Sequence, residues 1–544
     1  MLENPKLKIF DKRKGLQLKT LQLNPVNKFR EIRNMRTKDS EASLNIQRGL
    51  SESLNSLLSN PYLWVILISF SIRIVTLDYY PIGDTTEARY SEITRMMLES
   101  GDWISLKYIN GEPFWGKPPL LFWLQATSFK VFGISEFSAR LPSIFISLFV
   151  VGLVFYIAKI QFGRTQAWIA SALLSTNVLF YILSGSVLME PLLLLSTTLS
   201  MVAFWQVIRD RERYWGYLFF VGLAIGLMSK GPLAGVLITM PVITWLITSD
   251  NWRNVMQRIP LFTGTILMLA LTLPWYLLAE HATPGFLNYY IIGEHWERFT
   301  TADWQGNQFG TTHSSYIGAI WVEWLLAAFP MSLILIIALF TLIKRKKSAA
   351  LPILREDFSR YLILWIITLL LFFTFTKNTT IIYVFTSLPA TALLVAKLWQ
   401  IKSEKNNKDS NKTRKSIARI TIISVLFPFF FLAVVFFYMP YVADRNTEKF
   451  LVENYQKLNS SGKARLIYLF ERPASAQYYS RGKAEVISST NKIIAIVKQE
   501  PDVFLAISVG AFKNTPENIK QCLLKIGRFG RYILFQGNKQ NCNS

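Results

Sequence analysis

The stretch "YYPIGDTTEARYSEITRMMLESGDW", residues 79–103, decides how the rest of the chain is interpreted. It follows an apolar run, residues 61–77, that is long enough to enter a membrane. Charged side chains are expensive near hydrocarbon, so their presence here indicates either a solvated loop or a functional site at the membrane face. The stretch holds seven of them: Asp84, Glu87, Arg89, Glu92, Arg95, Glu99 and Asp102.

The composition around this stretch is typical of a polytopic membrane protein. The chain has 544 residues, of which 51% are hydrophobic, and its mean hydropathy is +0.28. The first apolar run lies too far from the N-terminus for an ordinary secretory signal peptide. A run at 119–134 contains Lys130 and is interpreted as an interfacial or re-entrant helix. The other runs predict eleven spans, at about 61–79, 136–158, 167–187, 191–208, 214–229, 231–248, 259–279, 316–343, 361–376, 380–399 and 417–440.

Lysines and arginines predict the orientation of these spans. They gather in alternate loops, most densely at 344–347 and 402–415, and residues 1–60 are also basic. That side is predicted to be cytoplasmic, with residues 1–60 disordered or lying on anionic lipid. With eleven spans, the loop 80–135 and the tail, residues 441–544, face outward. The net charge of +24 mainly reflects this loop bias, so no nucleic-acid partner is predicted.

The tail has the pattern of a small α/β domain outside the membrane. The runs "KARLIYLF", "AEVISS", "KIIAIVK" and "VFLAISV" are strand-like, whereas "PENIKQCLLKIGRF" is helix-like. The only cysteines of the chain, Cys522 and Cys542, lie here, and an isolated pair in an oxidising compartment is a candidate disulfide. A bridge over this spacing would stabilise the domain by about 3 kcal/mol. The alternative is two free thiols.

Residues 85–100 are predicted to form an amphipathic helix along the outer membrane surface. Asp84 occupies the N-cap position with Glu87 three residues later, and Gly101 is a natural stop. The alternative to a functional role is that Asp84 merely caps the helix. The remaining charges are predicted to form a solvated face of ion pairs: Glu92, Arg95 and Glu99.

Further ionisable residues recur at the same predicted face. Glu190 in "SGSVLMEPLLLL" and Lys230 in "GLMSKGPL" lie between apolar runs, and Lys117 in "EPFWGKPPL" precedes two prolines. A carboxylate can take a proton from an attacking hydroxyl, and cations can stabilise a departing phosphate. The alternative is that each side chain only snorkels to the interface. Four more gather in "YYIIGEHWERF": Glu294, His295, Glu297 and Arg298.

Six segments together resemble bacterial glycosyltransferases of the C-type (GT-C) fold. They are "GDTTEARYSEITRMMLESGDWISLKYINGEPFWGKPPLLFWLQATSFKVFG", "VLMEPLLL", "MSKGPLAGVL", "LPWYLLAE", "YYIIGEHWERF" and "KNTTIIYVFTSLPA". Their order is similar to that in the lipid A aminoarabinose transferases and the wider protein O-mannosyltransferase-like family, over about residues 60–400. The resemblance implies a polytopic α-helical fold of about eleven and at most thirteen spans. It also implies amphipathic helices in the first outer loop, a small C-terminal α/β domain in the periplasm and a place in the bacterial inner membrane.

The resemblance also implies a reaction. Such enzymes pass a sugar, with inversion, from a polyprenyl-phosphate donor to an acceptor hydroxyl or phosphate outside the membrane. The family has an acidic pair in the first loop, and Glu87 matches its second member. The first member falls on Thr86, so Asp84 is predicted to supply that carboxylate and to act as the base. Glu190 falls where the family usually has aspartate, and it is the alternative base.

The cations are predicted to bind the donor. Lys117 matches a family lysine that holds the donor phosphate, and Lys230 matches another cation near the site. With Arg298 they would stabilise the departing polyprenyl phosphate, and Arg89, together with Glu87, would orient the loop or the sugar. The pair "EH", Glu294 and His295, is also assigned to substrate binding. No cofactor is predicted. Gly116 replaces an acidic residue of the aminoarabinose transferases, so a divalent metal is compatible with the site but not required, and no metal site is predicted.

The preferred acceptor is lipid A or another glycan of the cell envelope, and a protein O-glycosyltransferase is the alternative. A secondary transporter would place ionisable residues near the membrane midplane and would carry an internal repeat. The sequence places these residues at the outer face and shows no repeat. A non-catalytic scaffold or sensor that works through the tail is a third class.

Overall fold

The chain divides into two compact units, residues 1–61 and 62–544. Most of the first unit, including the segment predicted to be disordered, lies outside the described residues. A computed structural model describes residues 51, 55, 57–108, 111–209, 212–249, 252–297, 300, 315–344, 356–376, 379–405, 426–459, 462–500 and 502–542.

The apolar runs of the second unit form helices, as predicted. Up to the start of the tail these are α1 Pro61–Val75, α2 Thr86–Ser100, α3 Leu120–Phe132, α4 Glu136–Phe162, α5 Arg164–Ser175, α6 Val178–Leu183, α7 Glu190–Arg209, α8 Arg213–Lys230, α9 Pro232–Thr248, α10 Trp252–Arg258, α11 Leu261–Ala282, the π-helix Asn288–Glu297, α12 Ala319–Ala327, α13 Met331–Lys344, α14 Asp357–Thr374, the 3-10 helix Ile381–Ser387, α15 Leu388–Lys405, α16 Leu426–Phe437 and α17 Met439–Asn446. A short hairpin, β1 Lys107–Tyr108 and β2 Glu112–Pro113, lies between α2 and α3.

The described helices make the chain a multi-pass membrane protein. Five of them are long and apolar enough to cross a membrane, and the number rises to seven if each of two bent pairs is one span. Two of the predicted spans are interrupted near their middle. The span predicted over 316–343 is a bent pair of helices, because α12 and α13 meet at an angle of 109° around Pro330, which lacks the N–H needed for a continuous helix. The helix predicted over 167–187 breaks at Asn177, whose side chain caps α6.

The first outer loop is packed into the protein core. Helices α2 and α3 share one apolar core with the start of α7. This core includes Ile93 of α2, Phe122 of α3, and Met189 and Leu192 at the start of α7. The predicted solvated face of α2 is therefore wrong in part. Glu92 is fully buried, and its carboxylate accepts hydrogen bonds from Arg95, which is also buried.

The tail is a five-stranded sheet with helices on both faces. Its strands are β3 Arg465–Leu469, β4 Ala484–Ile487, β5 Val503–Ser508, β6 Leu523–Phe529 and β7 Tyr532–Gly537, in the order β4-β3-β5-β7-β6. Strands β4, β3 and β5 are parallel, whereas β7 is antiparallel to β5 and β6 to β7. The helices are α18 Lys449–Leu458, α19 Ala474–Tyr479, α20 Asn491–Gln499, α21 Val509–Lys513 and α22 Glu517–Gln521.

Two segments of the tail differ from the prediction. The run "KIIAIVK" is helix α20 rather than a strand, because Ile493 and Val497, four residues apart, are its buried positions against the sheet. The run predicted as helix from Pro516 onward is helical only to Gln521 and then becomes strand β6. The predicted disulfide is confirmed, since Cys522 and Cys542 are bonded with their Cα atoms 4.5 Å apart.

Candidate functional site

The best-defined ionic contact at the predicted face joins two helix ends. Glu190 is the first residue of α7 and Lys230 is the last residue of α8. The lysine Nζ lies 2.5 Å from the carboxylate Oε1, and the two side chains are 11% and 12% exposed. Gly231 follows with φ +66°, and a Cβ there would lie 2.3 Å from the Tyr290 hydroxyl. Only glycine therefore lets the π-helix approach the lysine this closely.

The π-helix brings two further predicted residues to this pair. Lys117 Nζ lies 3.8 Å from Glu294 Oε2, and Lys117 also lies close enough to Glu190 to interact with its charge. The His295 ring bridges two carbonyl oxygens, with Nδ1 2.7 Å from Tyr290 O and Nε2 3.0 Å from Lys230 O. Five predicted residues thus form one group, which we call the lysine–glutamate cluster: Lys117, Glu190, Lys230, Glu294 and His295.

The His295 ring does not offer a free metal ligand in this arrangement. Each ring nitrogen faces a backbone carbonyl oxygen, and burial lowers the pKa of the imidazole, opposed by these two contacts. Within the described ranges, no three histidine, cysteine, aspartate or glutamate side chains converge as metal ligands do. The described residues of the cluster thus do not form a divalent-ion site, and we assign such an ion no step.

Asp84 contacts the tail. Its carboxylate accepts a hydrogen bond from the Ser475 N–H at 2.9 Å and another from the Ser475 hydroxyl at 2.5 Å. The predicted helix cap is therefore wrong, because Thr85 is the N-cap of α2 and no side chain caps it. Burial raises the pKa of Asp84, although the bonds from Ser475 oppose this effect.

Glu87 pairs with an arginine that sequence reasoning assigned only to a span. Arg140 Nη2 lies 2.9 Å from Glu87 Oε2, and the Val187 N–H donates to the same carboxylate. Burial alone would raise the pKa of Glu87, but these contacts outweigh it and the pKa is lowered. Arg140 is fully buried and also donates to the carbonyls of Leu77, Tyr80 and Pro81. An ionisable residue inside an apolar helix was the signal that could have found it.

The remaining predicted residues have different surroundings. The Arg89 guanidinium lies over the rings of Tyr90 and Phe114, at 5.7 and 5.9 Å from their centroids. This placement is compatible with the predicted orienting role. Arg298 lies outside the described residues. No contact among the described side chains joins Asp84 or Glu87 directly to the lysine–glutamate cluster, and both lie on the side of the first loop that meets the tail and α4.

Known proteins resemble this chain in sequence and in fold. Residues 64–290 match the sequence model of the family described as dolichyl-phosphate-mannose-protein mannosyltransferase. An undecaprenyl phosphate-alpha-4-amino-4-deoxy-L-arabinose arabinosyl transferase from Enterobacter sp. (strain 638) is 28% identical over 62% of this chain and 59% of its own length. A second such transferase, from Sodalis glossinidius (strain morsitans), is 27% identical over 65% of this chain and 63% of its own length. The chain thus matches less than two thirds of either relative.

A solved structure extends the likeness beyond residues 64–290. ArnT from Cupriavidus metallidurans, crystallised with undecaprenyl phosphate, superposes with a TM-score of 0.69 over 87% of this chain and 97% of that protein, at 17% identity. At this identity the likeness concerns the fold alone. The predicted resemblance is therefore confirmed: residues 64–290 match the dolichyl-phosphate-mannose-protein mannosyltransferase family model, and the helical GT-C fold of the chain is similar to that of ArnT.

Proposed function

We propose that this protein transfers a sugar from a polyprenyl-phosphate donor to an acceptor at the outer face of the bacterial inner membrane. The observation that carries the proposal is the lysine–glutamate cluster, in which two ammonium groups and two carboxylates gather in a largely buried place where α7 begins and α8 ends. Two lysines suit a phosphate that gains charge as it leaves, and a carboxylate suits an acceptor that loses a proton. The names of the relatives, which are undecaprenyl-phosphate sugar transferases, support the same donor class.

The reaction breaks the bond between the anomeric carbon and the phosphate oxygen. An acceptor oxygen attacks the anomeric carbon from the opposite side, so the configuration inverts, and the electron pair of the broken bond stays on the polyprenyl phosphate. Lys117 and Lys230 stabilise that charge. When the donor phosphate is bound, Lys230 exchanges Glu190 for a phosphate oxygen, and the released carboxylate takes the acceptor proton if the acceptor is a hydroxyl.

Two carboxylates were predicted as bases, and the geometry favours Glu190. Both oxygens of Asp84 are engaged by Ser475, whereas Glu190 lies directly beside the phosphate-binding lysines. Glu294 and His295 hold the two lysines in place through Lys117 Nζ and the Lys230 carbonyl. Arg298 is proposed as a third cation for the phosphate, and Arg89 and Glu87 as residues that orient the loop or the sugar.

The acceptor is proposed to be lipid A or another envelope glycan, because the similar transferases use an aminoarabinose donor. The family description names protein mannosyltransferases, which makes a protein hydroxyl the second candidate acceptor. We retain eleven spans, a cytoplasmic N-terminus and a periplasmic tail as the proposed topology. A reporter that works only outside the cytoplasm should be active after Ser544 and inactive within residues 402–415.

The experiment compares envelope lipids, glycans and proteins by mass spectrometry in cells with and without the gene. A sugar-sized mass difference on one of these acceptors, restored by the wild-type chain and not by Glu190→Gln or Lys117→Ala, supports the proposal. Lys397→Met, which removes an ion pair with Glu356 away from the cluster, is the control variant and should restore transfer. If no acceptor changes mass, and purified protein in liposomes releases no polyprenyl phosphate from donors, the proposal is wrong.

A further inference from the structure

The beginning of the first outer loop is held by the tail through its backbone. The Ile82 N–H donates to the Tyr479 hydroxyl at 2.7 Å, and the Ile82 carbonyl accepts from the Thr447 hydroxyl at 2.8 Å. The Asp84 N–H donates to the Asn446 carbonyl at 2.8 Å. Each of these groups would otherwise need another partner in a buried setting, so the conformation of residues 82–84 depends on the tail.

The Asp84 side chain completes this attachment. Both of its oxygens accept from Ser475, which is fully buried at the start of α19, and the Ser475 hydroxyl in turn accepts from the Glu448 N–H at 3.0 Å. We call the contacts of residues 82 and 84 with Asn446, Thr447, Ser475 and Tyr479 the clasp. A second polar link lies beside it, where Lys449 of the tail pairs with Glu136 at 2.6 Å.

Apolar packing connects the clasp to the lysine–glutamate cluster. Ala474 and Tyr478 of α19 belong to the same buried core as Ile82, and this core also contains Met189 and Leu192, which flank Glu190. Packed cores transmit displacements because they have few voids. A shift of α19 would therefore move the first loop and the start of α7 together.

We infer that Ser475 of the tail and Asp84 of the first outer loop are positioning residues for the transfer, and that the Asp84 carboxylate anchors the loop rather than removing the acceptor proton. This inference rests on the proposed function. A shift of about 1 Å in the position of a reacting group can slow an enzyme about a hundredfold. This figure sets the scale of the rate loss expected when the clasp is loosened.

Two substitutions of Asp84 separate anchoring from proton removal. Asp84→Asn keeps the anchor, because the amide oxygen still accepts the Ser475 N–H and the amide nitrogen can donate to the Ser475 hydroxyl. Asp84→Ala removes it. Transfer is measured in liposomes, with kcat and KM for the donor determined separately, for both variants, for Ser475→Ala and for the double variant Asp84→Ala with Ser475→Ala. Ser508→Ala, which loses a hydroxyl bond within the tail only, is the matched control.

The anchor gives a specific pattern of rates. The kcat of Asp84→Asn and of Ser508→Ala should stay within about threefold of wild type. Asp84→Ala should lose at least about tenfold in kcat, with the donor KM little changed. The double variant should be no slower than Asp84→Ala, because both substitutions remove the same contact. A loss of about a hundredfold or more in Asp84→Asn, beside a nearly normal Ser475→Ala, would make Asp84 the base and overturn the inference. A nearly normal Asp84→Ala would overturn it as well.

Hydrogen exchange keeps the test decisive if no variant, including wild type, transfers sugar. That outcome contradicts the proposed function, while amide protection of residues 82–90 still reports the clasp. Protection should fall in Asp84→Ala and Ser475→Ala and persist in Asp84→Asn and Ser508→Ala. Unchanged protection in Asp84→Ala would overturn the clasp independently of any activity.

Discussion

Replacing Lys230 with methionine should destabilise the protein through the carboxylate that it leaves behind. The substitution keeps the volume of the apolar stem but removes the ammonium that lies 2.5 Å from Glu190. Removing one partner of a buried ion pair costs about 3–5 kcal/mol, because the other charge stays buried without compensation. Glu190 is 12% exposed and Lys117 is near enough to interact with it, so the expected loss is at the lower end, about 3 kcal/mol.

The assay measures the free energy of unfolding of the purified protein in detergent, by reversible titration with denaturant at pH 7. The double variant Glu190→Gln with Lys230→Met removes the orphaned charge and should recover most of the lost stability, although it should not transfer sugar. Lys397→Met is the control, since its partner Glu356 is 35% exposed and the pair should contribute less than about 1 kcal/mol. If Lys230→Met unfolds at the wild-type midpoint, or if the double variant is as unstable as the single one, the burial argument is refuted.

Three further outcomes follow from the tail and the cluster. Burial, opposed by a bond from Tyr468, raises the pKa of Glu448 from 4.5 to about 8, so its contribution to stability is complete below pH 4.5 and is lost as the pH rises through 8. The free energy of unfolding of wild type should therefore fall by about 1.4 kcal/mol per pH unit between pH 4.5 and 8, and Glu448→Gln should flatten this slope; an equal slope in both proteins would contradict the expectation. Thiol titration of denatured, unreduced protein should find no free thiol, and labelling of Cys522 and Cys542 before reduction would rule out the bridge. Transfer should survive EDTA, and inactivation that added Zn²⁺ or Mg²⁺ reverses would show that a metal is required.

Much of the helical architecture could be predicted from the sequence because hydrocarbon imposes a simple requirement. A spanning segment must be apolar and must satisfy its own backbone, so every predicted run contains a helix. Hydropathy does not register interruptions inside such a run. The bend at Pro330 and the break at Asn177 depend on one residue each, and a window average over the surrounding leucines and isoleucines conceals both.

The candidate site was predictable where the cost of burying charge points to function. Glu190 and Lys230 stand alone between apolar runs, and the structure pairs them across 40 residues of sequence. The same reasoning failed where the partner is distant and has no charge. Ser475 is separated from Asp84 by 391 residues, and nothing in a serine of the tail indicates a carboxylate in the first loop. Arg140 was overlooked because its helix was judged by mean hydropathy, although the fully buried guanidinium organises three carbonyls and Glu87.

The first acidic position of the family falls on Thr86, so the contacts of Asp84 and Glu87 decide which carboxylate can act as the base. Thr86 is the first residue of α2, whereas Asp84 lies before the helix begins, so the two side chains do not share a helical face. A shift of two residues across a helix start does not restore a carboxylate to the same place, and Asp84 accordingly meets Ser475 of the tail. Glu87 is held by Arg140. Of the three carboxylates that the resemblance assigned to catalysis, only Glu190 lies beside lysines that could bind a phosphate, and we therefore propose Glu190 as the group that takes the acceptor proton.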